Sequence, residues 1–252
     1  MGVVVDAGGC WPSDLGGRFG PGDFVSDSHY RRLDIEIDAV AGRNAGPNVY
    51  SRLRAGLDRL SDEGALRKPE GVRFDVDEEV VELGDDDAVH SIEELAAAHD
   101  AVIDLGFEAD AAALHVFWVD GHYEGDIDGS PVLGFSYRGD RIIMLRDNIE
   151  RVCDGGRPLG LESRRCERTM STVLLHEMGH AFGLVNNGAP LQSPHQDEAH
   201  GAHCDNENCL MFFGVETASA ADLVEERLGG GGGDDIFFDD HCLDDLRALA
   251  GP

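Results

Sequence analysis

The sequence predicts an α+β fold: a mixed, twisted sheet backed by two long helices, the second carrying an H-E-x-x-H motif, followed by a strand-poor C-terminal portion. Three observations point there. Apolar residues alternate with acids in one segment and run continuously in another, as strands do. Other segments repeat apolar residues at helical spacing. Beyond residue 186 the extended runs give out.

In chain order, residues 1–30 are rich in Gly, Pro and Asp and read as a loose lead-in. In RRLDIEIDAV, Leu33, Ile35 and Ile37 alternate with acids, the period of a half-buried strand. Val49, Leu53, Leu57 and Leu60 recur at helical spacing after Gly46-Pro47, and Gly64 offers a stop. VRFDV, residues 72–76, is a second short strand. An amphipathic helix follows, with Ser91 as N-cap and Glu94 three residues on. ALHVFWVDG, from Ala113, is apolar enough for a central strand. VLGFSYRGDRIIMLRDN gives two extended runs joined near Arg138-Gly139-Asp140. A helix then spans about Arg168 to Val185, and residues 186–202 form a polar loop. Short helices are expected near Ala218–Leu228 and Leu243–Leu249, separated by the run Gly229 to Gly233. One domain is expected over 31–252, with an upper part to 185 and a lower part over 186–252.

The 252 residues carry 50 Asp+Glu against 20 Lys+Arg, a formal net charge of -30. That balance excludes a nucleic-acid binder working through a basic surface, because phosphate neutralisation needs Lys and Arg. It argues equally against docking on an anionic membrane, and no run of 18 apolar residues is present. The acids are dispersed between apolar segments, Asp outnumbers Glu, and Lys68 is the only lysine. The expectation is a halophilic protein whose self-repulsion is screened by salt. The first residues show no basic region and only a short apolar stretch, so the cytoplasm is the default location; export stays open if the start is mis-assigned. Six cysteines are too few for a disulfide scaffold at this length. Cys153 and Cys166 flank a basic, Gly-containing loop and are a weak candidate for pairing.

The chemistry sits at residues 176–187, HEMGHAFGLVNN. His176 and His180 are four apart on a helix, which stacks both imidazoles on one face within reach of one ion. Glu177 points about 100° away around the axis and can approach a water without taking a coordination site. This is the arrangement of zinc hydrolases. Downstream lies a dense set of further donors: His195, His200, His203, Cys204 and Cys209, with Met211 beside them.

HEMGHAFG resembles the opening of the metzincin zinc-peptidase signature, H-E-x-x-H-x-x-G-x-x-H/D with a later Met-turn. Within that group, His203-Cys204-Asp205-Asn206-Glu207-Asn208-Cys209-Leu210-Met211 is similar to the archaemetzincin pattern, in which a third His precedes Cys, four residues, Cys, one residue and Met. The resemblance covers about 36 residues. It implies a zincin-like fold, one catalytic Zn2+ with three histidine ligands, a peptide or protein substrate, and Met211 as the Met-turn floor beneath the ligands. It also implies that substrate lies extended along an edge strand, for which VLGFSYRGDRIIML is the candidate by position.

The sequence departs from that pattern in two places. The family's third ligand position is Asn186 here, and Asn is a poor zinc ligand. A 17-residue segment, Asn186 to Ala202, intervenes before His203, which is the expected displaced third ligand. His195 and His200 compete with it, and Asp197 less so. The pattern's later C-x-x-C, which completes a second, structural zinc site, is reduced to Cys242. Cys204, Cys209 and Cys242 with Asp239 or His241 offer a mixed closed site; the alternative is a Cys204–Cys209 disulfide or plain thiols.

With three imidazoles on zinc, one tetrahedral position stays open for water, and Glu177 is the expected general base for peptide hydrolysis. Two other functions remain open. One is a metal-binding module whose fourth position is closed by a further side chain. The other is a metal-dependent amidase acting on non-peptide substrates. Oligomeric state is not legible.

Overall fold

A computed structural model of the chain describes residues 18–79, 81, 83, 88–105, 108–126, 131–154, 161–229 and 236–251. Most of the expected lead-in, residues 1–17, and most of the glycine run lie outside the described residues.

The main sheet has five strands. They are β1 (Arg32–Val40), β2 (Val72–Glu79), β4 (Ala111–Val119), β6 (Gly134–Tyr137) and β7 (Arg141–Leu145), in the order β2-β1-β4-β7-β6. The first four positions in that order are mutually parallel, and β6 pairs antiparallel with β7 at the edge. The sheet is therefore mixed, and β4, the most apolar run, is central as its composition demands. Two-residue strands β3 (Val89–His90) and β5 (His122–Tyr123) pair separately.

One face of the sheet meets α2 (Pro47–Asp62) and α5 (Leu161–Ala181). Leu33, Ile35 and Ile37 of β1, Leu53 and Leu57 of α2, and Val173 and Leu174 of α5 share that core. Gly56 permits the two helices to close together, because a Cβ there would collide with Leu175. The other face meets α3 (Ile92–Val102), where Leu95 packs with Phe117, Ile143 and Leu145. Ser91 and Glu94 form the expected capping box at its start.

Four readings of the sequence change. The strand β1 is buried on both faces, not half-buried. Parallel strands covered by helices on both sides leave no solvent face, so Asp34, Glu36 and Asp38 lie beneath α3 and the chain after it. Glu36 accepts hydrogen bonds from the N–H groups of Asp104 and Leu105, each at 2.7 Å, and its Oε2 lies 2.5 Å from His115 Nδ1. Residues 18–30 are not loose: α1 (Pro21–Val25) buries Phe24 and Val25. Lys68 fastens that segment, its Nζ donating to the carbonyls of Asp23, Ser26 and Tyr30 at 2.6, 2.5 and 2.7 Å. The HExxH helix starts at 161 and ends at 181, and α4 (Arg146–Asp154) precedes it. Cys153 and Cys166 are joined as a disulfide that ties α4 to α5. The C-terminal helices fall near their expected places, as α6 (Ala220–Gly229) and α7 (Asp240–Ala250).

Asp38 carries a testable consequence. Burial, then the negative charge of Glu36, pushes its carboxyl up to about 8, and its Oδ2 has no hydrogen-bond partner. An unfolded Asp titrates near 3.9. Between these values the folded state holds a proton that the unfolded state releases, so this group lowers stability as pH rises from about 4 to about 8. Asp38→Asn removes that slope. Thermal unfolding in concentrated KCl should show the variant gaining on wild type between pH 5 and 8 and no further gain above. Parallel curves across that range would contradict the assignment.

Candidate metal centre

The centre is built on the last turns of α5. The face carrying Val173, Leu174 and Met178 is buried in the core, which holds the helix still. His176, Glu177 and His180 are themselves buried. The helix stops at Gly183, whose φ of +86° is the left-handed conformation of a C-terminal cap. A Cβ at Gly183 would also collide with the Ala189 N–H and Pro21.

The chain then leaves the helix and returns. Leu184 to Ala202 loops outward, and Asp197 N–H to the His203 carbonyl (2.8 Å) and Asp205 N–H to the His195 carbonyl (2.9 Å) close the loop on itself. That closure delivers His203, fully buried, opposite the helical pair. The rings of His176, His180 and His203 pack with centroids 4.8 to 5.3 Å apart.

Their tautomers are set from behind. His176 Nδ1 lies 2.7 Å from the Leu210 carbonyl and His203 Nδ1 lies 2.6 Å from the His200 carbonyl. Each Nδ1–H donates there, which leaves each Nε2 as a lone pair facing inward. His176 and His180 Nε2 stand 3.1 Å apart. His203 Nε2 is buried without a hydrogen-bond partner. Burial, together with the neighbouring His176 and His203, keeps His180 well below the usual histidine range, so this group does not welcome a proton.

A fourth side chain joins them. Glu216 ends a short 3-10 turn, Phe213–Glu216. Its carboxylate lies 3.4 Å from His203 Nε2, 3.6 Å from His176 Nε2 and 4.0 Å from His180 Nε2. Burial pushes Glu216 upward, but the facing imidazoles of His176 and His203 outweigh it and hold the carboxylate well below its ordinary range. Glu177 stands beside this set. Burial first, and then the charge of Glu216, pushes its carboxyl well above the ordinary range, against the pull of the Ser136 N–H that it accepts from β6. Its Oε1 has no hydrogen-bond partner.

This donor set fits a zinc ion. Four tetrahedral ligands at 2.0–2.1 Å stand about 3.3 Å from one another, and the donor atoms of His176, His180, His203 and Glu216 all lie within 4.8 Å. Inward lone pairs with no partner in a dry site are costly unless a cation meets them.

The other predicted donors go elsewhere. Asn186 donates to the Gln196 side chain at the surface. His200 is half exposed, pairs with Asp197 at 2.6 Å and stacks on Phe213. His195 faces Asp245 and the Cys242 sulfur, at 3.4 and 3.8 Å. Met211 is fully buried with its sulfur against Gly179, where a Cβ would overlap it.

A second group lies immediately behind the first. Cys204, Cys209, Cys242 and Asp239 bring their donor atoms within 4.8 Å of one another. All three cysteines are free thiols, so the Cys204–Cys209 disulfide is not formed. Asp239 accepts from Asn206 and caps α7 through the Cys242 N–H. His241 stays outside, bonded to Ser193 and stacked on His195. Hydrogen bonds from the Cys209 and Cys242 thiols lower the pKa of Cys204, which favours a thiolate able to meet a cation.

Sequence reasoning missed Glu216, Gly179 and Ser136. Glu216 had a faint signal: it is the single acid between Glu207 and Asp222, inside an otherwise apolar and small-residue run. Nothing in the sequence marked Ser136, whose part depends on the edge strand lying beside α5.

No family model and no curated protein matches. A solved structure of a zinc-dependent peptidase from Methanocorpusculum labreanum (strain Z) is similar to this chain at 15% identity and a TM-score of 0.49, covering 84% of this chain and 99% of that one. Among the described residues, no helix is long and apolar enough to cross a membrane.

Gly179→Ala tests the packing beneath the histidines. The added methyl must displace the Met211 sulfur, an overpacking cost of about 1–3 kcal/mol. Denaturant unfolding should show that loss, and zinc titration should show weakened binding. Wild-type affinity and stability together would mean that Met211 does not support the ligands.

Proposed function

We propose that the chain is a zinc-dependent peptidase of archaemetzincin-like type, in which His176, His180 and His203 hold the ion and Glu177 is the general base. The observation that carries this reading is the convergence of three buried, inward-facing Nε2 atoms beside a buried carboxylate whose Oε1 lacks a partner. The HEMGHAFG and His203–Met211 motifs agree with it.

A bound zinc ion supplies Lewis acidity, polarising the scissile carbonyl and making water a nucleophile near neutral pH. The protein side chains do the rest. The Ser136 backbone favours the charged form of Glu177, and its unpartnered Oε1 is free to accept the proton of the attacking water. Glu177 then returns that proton to the leaving amine, so no covalent bond to the protein is needed. The strand that supplies Ser136 is β6, the antiparallel edge of the sheet. An extended peptide lying along β6 would place its carbonyl next to Glu177, by the geometry of strand addition. Met211 forms the apolar floor beneath the imidazoles.

We infer a second, structural ion at Cys204, Cys209, Cys242 and Asp239. A mixed closed site of this kind holds the returning chain and leaves no position for substrate. We also infer that the acidic protein, at -30 formal charge, keeps its compaction through high salt.

A second reading rests on Glu216. Four protein ligands would make the histidine centre a closed binding site without catalysis. A metal-dependent amidase would share every residue named above and differ only in its substrate.

Two experiments decide. Glu177→Ala should retain zinc and lose peptide hydrolysis by about 10²–10⁴-fold, measured on peptide and acyl-amide libraries in concentrated KCl. Retained activity removes the mechanism, and turnover confined to acyl-amides favours the amidase. Cys242→Ser should lower metal content by one equivalent per chain while sparing the ion at the histidines. A content unchanged from wild type would remove the second site.

A further inference from the structure

We propose, resting on the metal reading above, that Glu216 is a competing fourth ligand that closes the centre at rest, so that substrate must displace this carboxylate before hydrolysis. Three observations carry the proposal. The first is distance. Glu216 stands 3.4, 3.6 and 4.0 Å from the three Nε2 atoms, against 3.1 Å between His176 and His180. These separations bracket the tetrahedral edge of about 3.3 Å that zinc imposes on its ligands. Glu216 thus occupies the corner that the three histidines leave open.

The second is the division of labour between two carboxylates. Glu177 faces the edge strand, where the Ser136 backbone lowers its pKa, and is not one of the four converging donors. Glu216 is one of them. A divalent ion on three neutral imidazoles keeps its positive charge, and Glu216 is the carboxylate placed among the donors to offset it.

The third is restraint. His176 and His203 are each pinned from behind by a backbone carbonyl, at 2.7 and 2.6 Å. Glu216 has no such support: its Oε1 is buried without a hydrogen-bond partner. Those two imidazoles are fixed, whereas the carboxylate leaves by rotating its own side chain. His180 Nδ1 also lacks a partner, but its ring is buried on the helix between the other two, so Glu216 is the member placed to yield to an incoming oxygen, as a latch does.

The test uses the full-length protein in concentrated KCl with cobalt(II) in place of zinc and azide as a small competing ligand. Wild type, Glu216→Gln and Glu216→Ala are compared, with folding checked by circular dichroism and His176→Ala/His180→Ala as the control. Cobalt should bind to all but the control at the histidine centre. The visible bands of the two Glu216 variants should respond to azide at least ten-fold below the concentration that wild type needs, and Glu216→Ala should hydrolyse peptide with a raised kcat/KM. Equal azide midpoints in wild type and both variants would show that Glu216 does not coordinate, while leaving the histidine site standing. Easier azide entry without any gain in hydrolysis would overturn the latch in favour of a closed, non-catalytic site. Cobalt spectra that are the same in the control as in wild type would remove the underlying metal reading, and the latch with it.

Discussion

Three imidazoles held out of water with their Nε2 lone pairs facing one another are an unstable arrangement unless something else imposes it. The lone pairs repel, burial and the two neighbouring rings keep His180 from taking a proton, and the charge of Glu216 favours protonation of His203. The surrounding chain imposes it. The Leu210 carbonyl orients His176, the His200 carbonyl orients His203, and the Met211 sulfur sits where only a glycine at 179 leaves room. The cost of keeping the site preorganised is spread over backbone groups far apart in sequence, and the returning segment 203–211 supplies most of them. His203, the carbonyl that orients His176 and the packing sulfur all belong to nine consecutive residues.

The sulfur-rich group explains how those nine residues are themselves fixed. His203 and Cys204 are adjacent, so whatever holds Cys204 positions His203 within one peptide unit. Cys209 accepts from the N–H groups of Met211 and Asp239, at 3.4 Å each. Cys242 and Asp239 come from the start of α7, which packs back on α1. The His176/His180 pair needs only a helix, a local structure. His203 needs a loop of 17 residues to close, and that closure carries an entropy cost. Clamping its far end to α7 reduces the freedom left to lose. The two groups are therefore joined through the single peptide unit between His203 and Cys204.

What was legible in the sequence follows the same line between local and non-local. His176, Glu177 and His180 were readable because their relation is a helical repeat. Gly183 was readable because helices end that way. His203 rather than His195 or His200 followed from its Cys neighbour, whereas the distances that separate the three candidates arise only from the loop's own hydrogen bonds. Glu216 was not readable: its role depends on a single 3-10 turn carrying it back over the helix, and no spacing rule links residue 216 to residue 180. The alternation in β1 pointed to a solvent face that a doubly covered parallel sheet does not have. Alternation reports two different environments, and here the second is a polar layer beneath α3 in place of water.

That polar layer bears on how a chain of such acidity folds. Of the 50 Asp and Glu side chains, Glu36 and Asp38 are taken inside, where what faces each carboxyl decides its charge. Glu36 keeps its charge because two N–H groups and His115 meet it. Asp38, meeting none on Oδ2, gives its charge up. The same pairing of fates recurs at the metal centre. Glu216 stays ionised against the imidazoles, and the nearby Glu177 is driven toward the neutral form by burial and by that charge. In both places two carboxylates close together are separated by what faces them, one toward permanent charge and one toward proton exchange. A proton acceptor at neutral pH belongs to the second kind. The shift of Glu177 comes from its own burial first and from the charge of Glu216 second, so the two carboxylates are coupled whatever occupies the space between them.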